Sequence, residues 1–77
     1  MIVADTSALA AVVFGEPERG RFVRRMEQAE RVLVSAVSVV ETRMVVFGRR
    51  GPRGVVLLDD LLRLPMIEVA AVGVAEM

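Results

Sequence analysis

The segment Met1-Ile2-Val3-Ala4-Asp5-Thr6-Ser7 decides the fold, because an apolar run stops there abruptly at three polar residues. A short apolar run bounded by helix-capping residues is typical of a buried strand that leads directly into a helix. Residues 8–14 are wholly apolar and end at Gly15, which predicts that helix and its C-terminus. A strand that passes into a helix in this way predicts an α/β fold.

The rest of the chain repeats this alternation of strand and helix. The predicted strands are residues 1–4, 31–35 and 66–72, the last apolar except for Glu68 and therefore expected to be buried on both faces. The predicted helices are residues 8–14, a second helix that opens at Glu16-Pro17-Glu18, and residues 36–47 and 55–64, with a break at residues 49–54. The alternation predicts a parallel sheet of about three strands with four helices. Residues 73–77 resemble the first turn of a further helix, and we expect the chain to end within an element.

Composition limits both the size and the chemistry of the protein. The 77 residues make one small domain at most, and 55% hydrophobic residues with a mean hydropathy of +0.55 exclude a disordered chain. Ten arginines balance ten acidic residues, so no net charge attracts nucleic acid over a long range. Because cysteine and histidine are absent, zinc sites, disulfides and histidine-dependent catalysis are excluded, and carboxylates, hydroxyls and arginines remain for chemistry.

The sequence predicts a cytoplasmic protein. Its longest uncharged run, residues 6–15, is far shorter than the ~20 residues of a membrane span. The first apolar run also lacks the basic flank of a signal peptide. We therefore expect no association with a membrane.

Two carboxylates stand out as candidate functional groups. Asp5 lies where the first strand meets its helix, a position where parallel sheets bind ligands but which equally favours a helix N-cap. Glu41 lies on the predicted helix 36–47 among apolar residues at helical spacing, which predicts a buried carboxylate that needs a metal or an arginine partner. Two acids that converge at a strand end suit a hard cation such as Mg²⁺ or Mn²⁺, and the Ser7 hydroxyl is close enough in sequence to assist.

Two other charged groups have ordinary structural interpretations. Arg49, Arg50 and Arg53 form a basic cluster on the predicted loop, which suits either phosphate contacts or simple exposure to solvent. Asp59 and Asp60 are assigned to a solvated helix face.

Three segments together resemble the N-terminal part of PIN-domain proteins, and among these the VapC-type ribonuclease toxins. They are Met1 to Leu9, the turn Gly15-Glu16-Pro17-Glu18, and Leu33 to Glu41, followed by a loop at residues 48–52. The resemblance spans residues 1 to about 72. It implies a PIN-like three-layer α/β fold with a parallel sheet, of which residues 1–77 would be the N-terminal part of a single domain.

The resemblance also implies a function. Asp5 and Glu41 would be metal-binding acids, with Ser7 a polar residue that supports the centre, and Mg²⁺ or Mn²⁺ would activate a water that cuts an RNA phosphodiester. The implied partners are the RNA substrate, a cognate antitoxin of a type II toxin-antitoxin system and a second protomer. Members of the family continue with another helix, further strands and an acidic motif, commonly Gly-Asp, that this sequence does not contain.

That departure leaves two alternatives open. One is a truncated, non-catalytic remnant or interaction module that binds an antitoxin or a second protomer. The other is a response-regulator-like or nucleotide-binding domain, which a strand-end aspartate also fits. Against the latter, no glycine-rich phosphate loop follows the first strand and the chain has no lysine.

Overall fold

Three strands alternate with three helices in the structure, a computed structural model that describes residues 1–71. The strands are β1 (Ile2–Val3), β2 (Val32–Ser35) and β3 (Ile67–Ala70). The helices are α1 (Thr6–Phe14), α2 (Arg19–Gln28) and α3 (Ala36–Leu62). Residues 73–77, which resemble the start of a helix, lie outside the described residues.

The sheet is parallel throughout, and β2 is its central strand. Val3 pairs with Leu33 across the first ladder, and Val34 pairs with Val69 across the second. The predicted α/β fold with a three-stranded parallel sheet is therefore confirmed. Because all three strands run the same way, the residues that follow β1 and the end of β2 lie along one edge of the sheet.

The core lies on one face of this sheet. Val32 and Val34 of β2 are fully buried, and they form one cluster with Leu9 of α1 and Met26 of α2. The alternate side chains point the other way, and Val3 there is 71% exposed. The described helices therefore supply the apolar cover of a single sheet face.

The third strand is less buried than its sequence predicts. It covers Ile67–Ala70, its carboxylate Glu68 is exposed, and Val69 is 49% exposed. The expectation of burial on both faces is wrong, because each face is partly uncovered in the described chain: Glu68 is paired with Leu33 on one face, and Val69 is paired with Val34 on the other.

The described residues contain three helices, not four, because the predicted helices 36–47 and 55–64 form the two arms of one element, α3, which is kinked at the predicted break. A single residue, Gly51, leaves the helical conformation, with φ 64° and ψ −156°. It divides α3 into a first arm, residues 36–50, and a second arm, residues 52–62. The break is thus confirmed in position, but it is a one-residue turn, not a loop.

The two arms of α3 fold back on each other across this turn. In a straight helix, residues 43 and 59 would lie about 24 Å apart along the axis. In the structure the guanidinium of Arg43 is 2.7 Å from Asp59 Oδ1. A β-carbon placed on Gly54 would be 2.7 Å from Val46 Cγ1, so the close approach of the arms requires a glycine there.

Candidate metal centre

Asp5 lies directly after β1 and caps the N-terminus of α1. Its Oδ1 accepts a hydrogen bond of 2.9 Å from the backbone N–H of Ala8, and its backbone is extended, as an N-cap requires. The side chain is exposed, and the hydrogen bonds of the described residues engage only Oδ1. The capping interpretation is therefore confirmed, and it leaves the second carboxylate oxygen available to a ligand.

Glu41 lies on the first arm of α3, which begins at the carboxyl end of the neighbouring strand β2. Ser35 caps this helix, since its Oγ accepts a 3.0 Å hydrogen bond from the backbone N–H of Ser38. The backbone N–H of Ala4 donates to the carbonyl of Leu33 at 2.9 Å, which holds the end of β1 beside the end of β2. The two helices that carry Asp5 and Glu41 therefore start at the same edge of the sheet.

The predicted burial of Glu41 is wrong. Its side chain is exposed, because the apolar residues that surround it in sequence are themselves uncovered in the described chain: Val37 is 43% exposed and Met44 is 70% exposed. A desolvation penalty therefore does not force Glu41 to find a partner. Whether Glu41 can bind a metal therefore depends on which groups lie near its carboxylate.

Thr6 is the residue that connects the two acids. Its Oγ1 donates to Oε2 of Glu41 over 3.4 Å, at the long end of the hydrogen-bond range. Since Thr6 directly follows Asp5 in the chain, this contact brings the Glu41 carboxylate to the first turn of α1. The structure thus places the Glu41 carboxylate beside the residue that follows Asp5, through a contact that sequence reasoning overlooked.

Ser7, the predicted supporting hydroxyl, lies on the same turn but on another side of it. It is exposed and lines a groove of about 480 Å³ between α1, the α1–α2 turn and α3. Glu16 and Glu18 also line this groove, together with Thr6. Thr6 is therefore shared between the groove and the contact with Glu41.

Asp5 and Glu41 suit a hard cation that takes only one or two of its ligands from the protein. Within residues 1–71, no three acidic, histidine or cysteine side chains lie close enough to hold a metal ion. Magnesium commonly uses one or two protein carboxylates and completes its coordination with water and substrate oxygens. An exposed pair with one uncommitted Asp5 oxygen matches that donor chemistry, whereas a closed all-protein cage would need further ligands.

The other charged groups have structural partners. Arg49 and Arg50 lie over the ring of Phe14, with guanidinium carbons 4.2 and 5.5 Å from the ring centre, so they pack on α1 from the first arm of α3 and do not lie on the predicted loop. Asp59 pairs with Arg43 across the arms of α3. The solvated-face assignment therefore holds for Asp60, which is exposed, but Asp59 is half-buried in an ion pair.

A parallel α/β fold with an acid directly after its first strand occurs in several protein classes, and the family comparison decides between them: the chain belongs to the PIN-domain family, whose model matches residues 2–76. It is 37% identical over 71 residues to VapC ribonuclease Mb0640 of Mycobacterium bovis and to Ribonuclease VapC30 of Mycobacterium tuberculosis. These alignments cover 92% of this chain and 54% of each relative. The resemblance to VapC-type members is confirmed.

A solved structure agrees with this assignment. The crystal structure of Mycobacterium tuberculosis VapC20, described as a sarcin-ricin loop cleaving toxin, aligns with a TM-score of 0.78 and 25% identity. The alignment covers 97% of this chain and 59% of that one. The chain thus spans a little over half the length of the relatives it matches.

Proposed function

We propose that this chain is the N-terminal part of a single-domain, metal-dependent endoribonuclease of the VapC toxin type, which acts in a type II toxin-antitoxin pair. In this proposal, Asp5 and Glu41 bind Mg²⁺ or Mn²⁺ and RNA is the substrate. Membership of the PIN family and similarity to proteins named as VapC ribonucleases support it. The observation that carries it is the contact between Thr6, which follows Asp5, and the Glu41 carboxylate.

Each residue of the site has a distinct part in this proposal. A bound divalent cation supplies Lewis-acid chemistry, because it activates water and offsets the charge that develops on a phosphate. Asp5 offers the oxygen that its cap leaves uncommitted, and Glu41 offers a second carboxylate from α3. Ser7 presents a hydroxyl on the same turn to a bound water or to the RNA. Two helices begin at this edge, and their N-termini favour the approach of a phosphate.

Cleavage of a labelled RNA in Mg²⁺ or Mn²⁺ by the complete protein, of which this chain is the proposed N-terminal part, tests this proposal. Asp5→Asn is the sharpest variant, because asparagine caps a helix as well as aspartate does but loses the negative charge. Glu41→Gln is equally mild, since Glu41 is exposed. Both should abolish cleavage, while the control Asp60→Asn, at an exposed acid of α3, should cleave like the wild type. Full cleavage by Asp5→Asn would refute the assignment.

A second candidate function, an interaction module, has its own supporting observation. On the first arm of α3, the side chains at spacings of three and four residues form an exposed apolar stripe: Val37, Val40, Met44 and Phe47. A shallow groove of about 370 Å³ beside it is lined almost wholly by apolar surface, with Val55 of the second arm on its far side. An uncovered helix face of this kind is typical of a protein-protein contact.

We assign this stripe to the partners that the family resemblance implies, a second protomer and a cognate antitoxin. Metal-dependent cleavage by the 77-residue chain would exclude a purely non-catalytic module. Within residues 1–71, each helix is either too short or too polar to span a lipid bilayer. A cytoplasmic location is part of the proposal.

A further inference from the structure

Thr6 links the start of α1 to the Glu41 carboxylate of α3. It is the first residue of α1, directly after the Asp5 cap, and it is half-buried. Its hydroxyl makes the one side-chain hydrogen bond between α1 and α3 within residues 1–71, to Oε2 of Glu41. The backbone at Thr6 is held in the first turn of α1, because the preceding Asp5 side chain accepts a hydrogen bond from the Ala8 N–H.

We propose that Thr6 is a positioning residue that holds the Glu41 carboxylate towards Asp5. This inference rests on the proposed function, since it concerns how the two acids act together. Glu41 is exposed and has three freely rotating side-chain torsions, whose freedom opposes any single placement of its carboxylate. A hydroxyl donor on a rigid helical turn restricts that freedom at one oxygen and leaves the other for a cation.

Ser7 does not serve this purpose. It is exposed and lines the groove with Glu16 and Glu18, and the contact to Glu41 comes from Thr6 alone among the described hydroxyls. Ser35 and Ser38, the other hydroxyls at this edge, bond to each other at the start of α3. The two neighbouring hydroxyls of α1 therefore have different roles: Thr6 orients an acid and Ser7 faces the groove.

Manganese binding to the purified protein tests the inference without relying on catalysis. Loss of a hydrogen bond that orients a ligand typically weakens metal binding by about 10–100-fold. Because the contact is long and exposed, we expect Thr6→Val to raise the Mn²⁺ dissociation constant by about tenfold, the lower end of that range. Thr6→Ser keeps the hydroxyl and should bind Mn²⁺ as the wild type does. Free Mn²⁺ is measured by electron paramagnetic resonance.

Thr42→Val is the matched control. It makes the same chemical change one residue from Glu41, but its hydroxyl donates to the Ser38 carbonyl of its own helix at 2.6 Å. Thr42→Val should therefore leave the Mn²⁺ dissociation constant unchanged. If Thr6→Val binds Mn²⁺ like the wild type, or if Thr6→Ser is as weak as Thr6→Val, the inference is wrong.

A metal-free measurement separates failure of the inference from failure of the proposed function. Three-bond scalar couplings report the rotamer populations of Glu41 in labelled protein. The wild type and Thr6→Ser should share one dominant rotamer, and Thr6→Val should show averaged couplings. Averaged couplings in the wild type would overturn the inference. A fixed rotamer in a wild type that binds no Mn²⁺ would refute the metal site and leave the positioning role intact.

Discussion

Gly51 controls the geometry of α3, and its replacement by alanine should destabilise the protein. Its φ of 64° with ψ of −156° lies in a region that essentially only glycine occupies, and a residue with a β-carbon there costs about 1–3 kcal/mol. Apart from its two chain neighbours and the backbone of its own helix, no atom lies within 4 Å of the β-carbon position, so the cost is one of backbone conformation. For a chain of this length, with a free energy of unfolding of about 4–12 kcal/mol, that is a large fraction.

Gly48 provides a matched control three residues earlier on the same helix. It has helical backbone and open space around its β-carbon position. Alanine in a helix interior is favoured over glycine by about 0.8–1 kcal/mol, so Gly48→Ala should stabilise the protein. The same substitution should therefore shift the free energy of unfolding in opposite directions at the two positions.

Urea denaturation followed by circular dichroism measures both variants. The account predicts a lower midpoint for Gly51→Ala and a higher one for Gly48→Ala, with unchanged slopes. If Gly51→Ala were as stable as the wild type, the turn at Gly51 would be absent. Residues 49–54 would then form a flexible loop, as the sequence alone suggests, and the folding back of the second arm would lose its basis.

Three further predictions concern the helix cap at Asp5, the ion pair between the arms of α3 and the exposed apolar stripe. Asp5→Ala removes the acceptor of the Ala8 N–H and should lower the free energy of unfolding by about 1 kcal/mol, whereas Asp5→Asn should leave it unchanged in the same urea titration. A double-mutant cycle of Arg43→Gln with Asp59→Asn should give a coupling energy of about 0.5–1 kcal/mol for a half-exposed pair, and zero coupling would mean that this contact does not hold the arms. Met44→Lys, in the exposed apolar stripe, should weaken self-association in analytical ultracentrifugation without lowering the thermal unfolding midpoint. If self-association is unchanged, the stripe is not the contact surface between protomers.

The order of the elements and the position of Asp5 were predictable from the sequence, because both depend on local signals. Apolar runs of strand length followed by capping residues mark where β1 and β2 pass into helices. Asp5 and Ser35 are observed as the two caps. Because β1 and β2 run parallel, these two caps lie at the same edge of the sheet.

The exposure of Glu41 was not predictable, because periodicity shows which side chains share a helix face but does not show whether anything covers that face. Val37 and Met44 do share a face with Glu41, yet all three are exposed in the described chain. The burial of β3 was mispredicted for the same reason, because its apolar sequence does not show what covers either face of the strand.

At Thr6 and Gly51, the sequence shows the residue type but not the geometry. The Asp-Thr-Ser segment offers two adjacent hydroxyls, and only the rotation of α1 relative to α3 decides that Thr6 contacts Glu41. The Gly51-Pro52 pair marks a break in the helix, but its length depends on a backbone angle that only glycine adopts. In both cases the chemistry is visible in the sequence and the geometry is not.

Paramagnetic broadening by Mn²⁺ shows whether Asp5 and Glu41 together form one cation site, as we propose. In a proton–nitrogen correlation spectrum of labelled protein, substoichiometric Mn²⁺ broadens the amide signals nearest the bound ion. The account predicts that broadening centres on residues 5–7 and 41, and that Asp5→Asn abolishes it. Broadening that centres on Asp59 and Asp60, or that survives in Asp5→Asn, would contradict the claim.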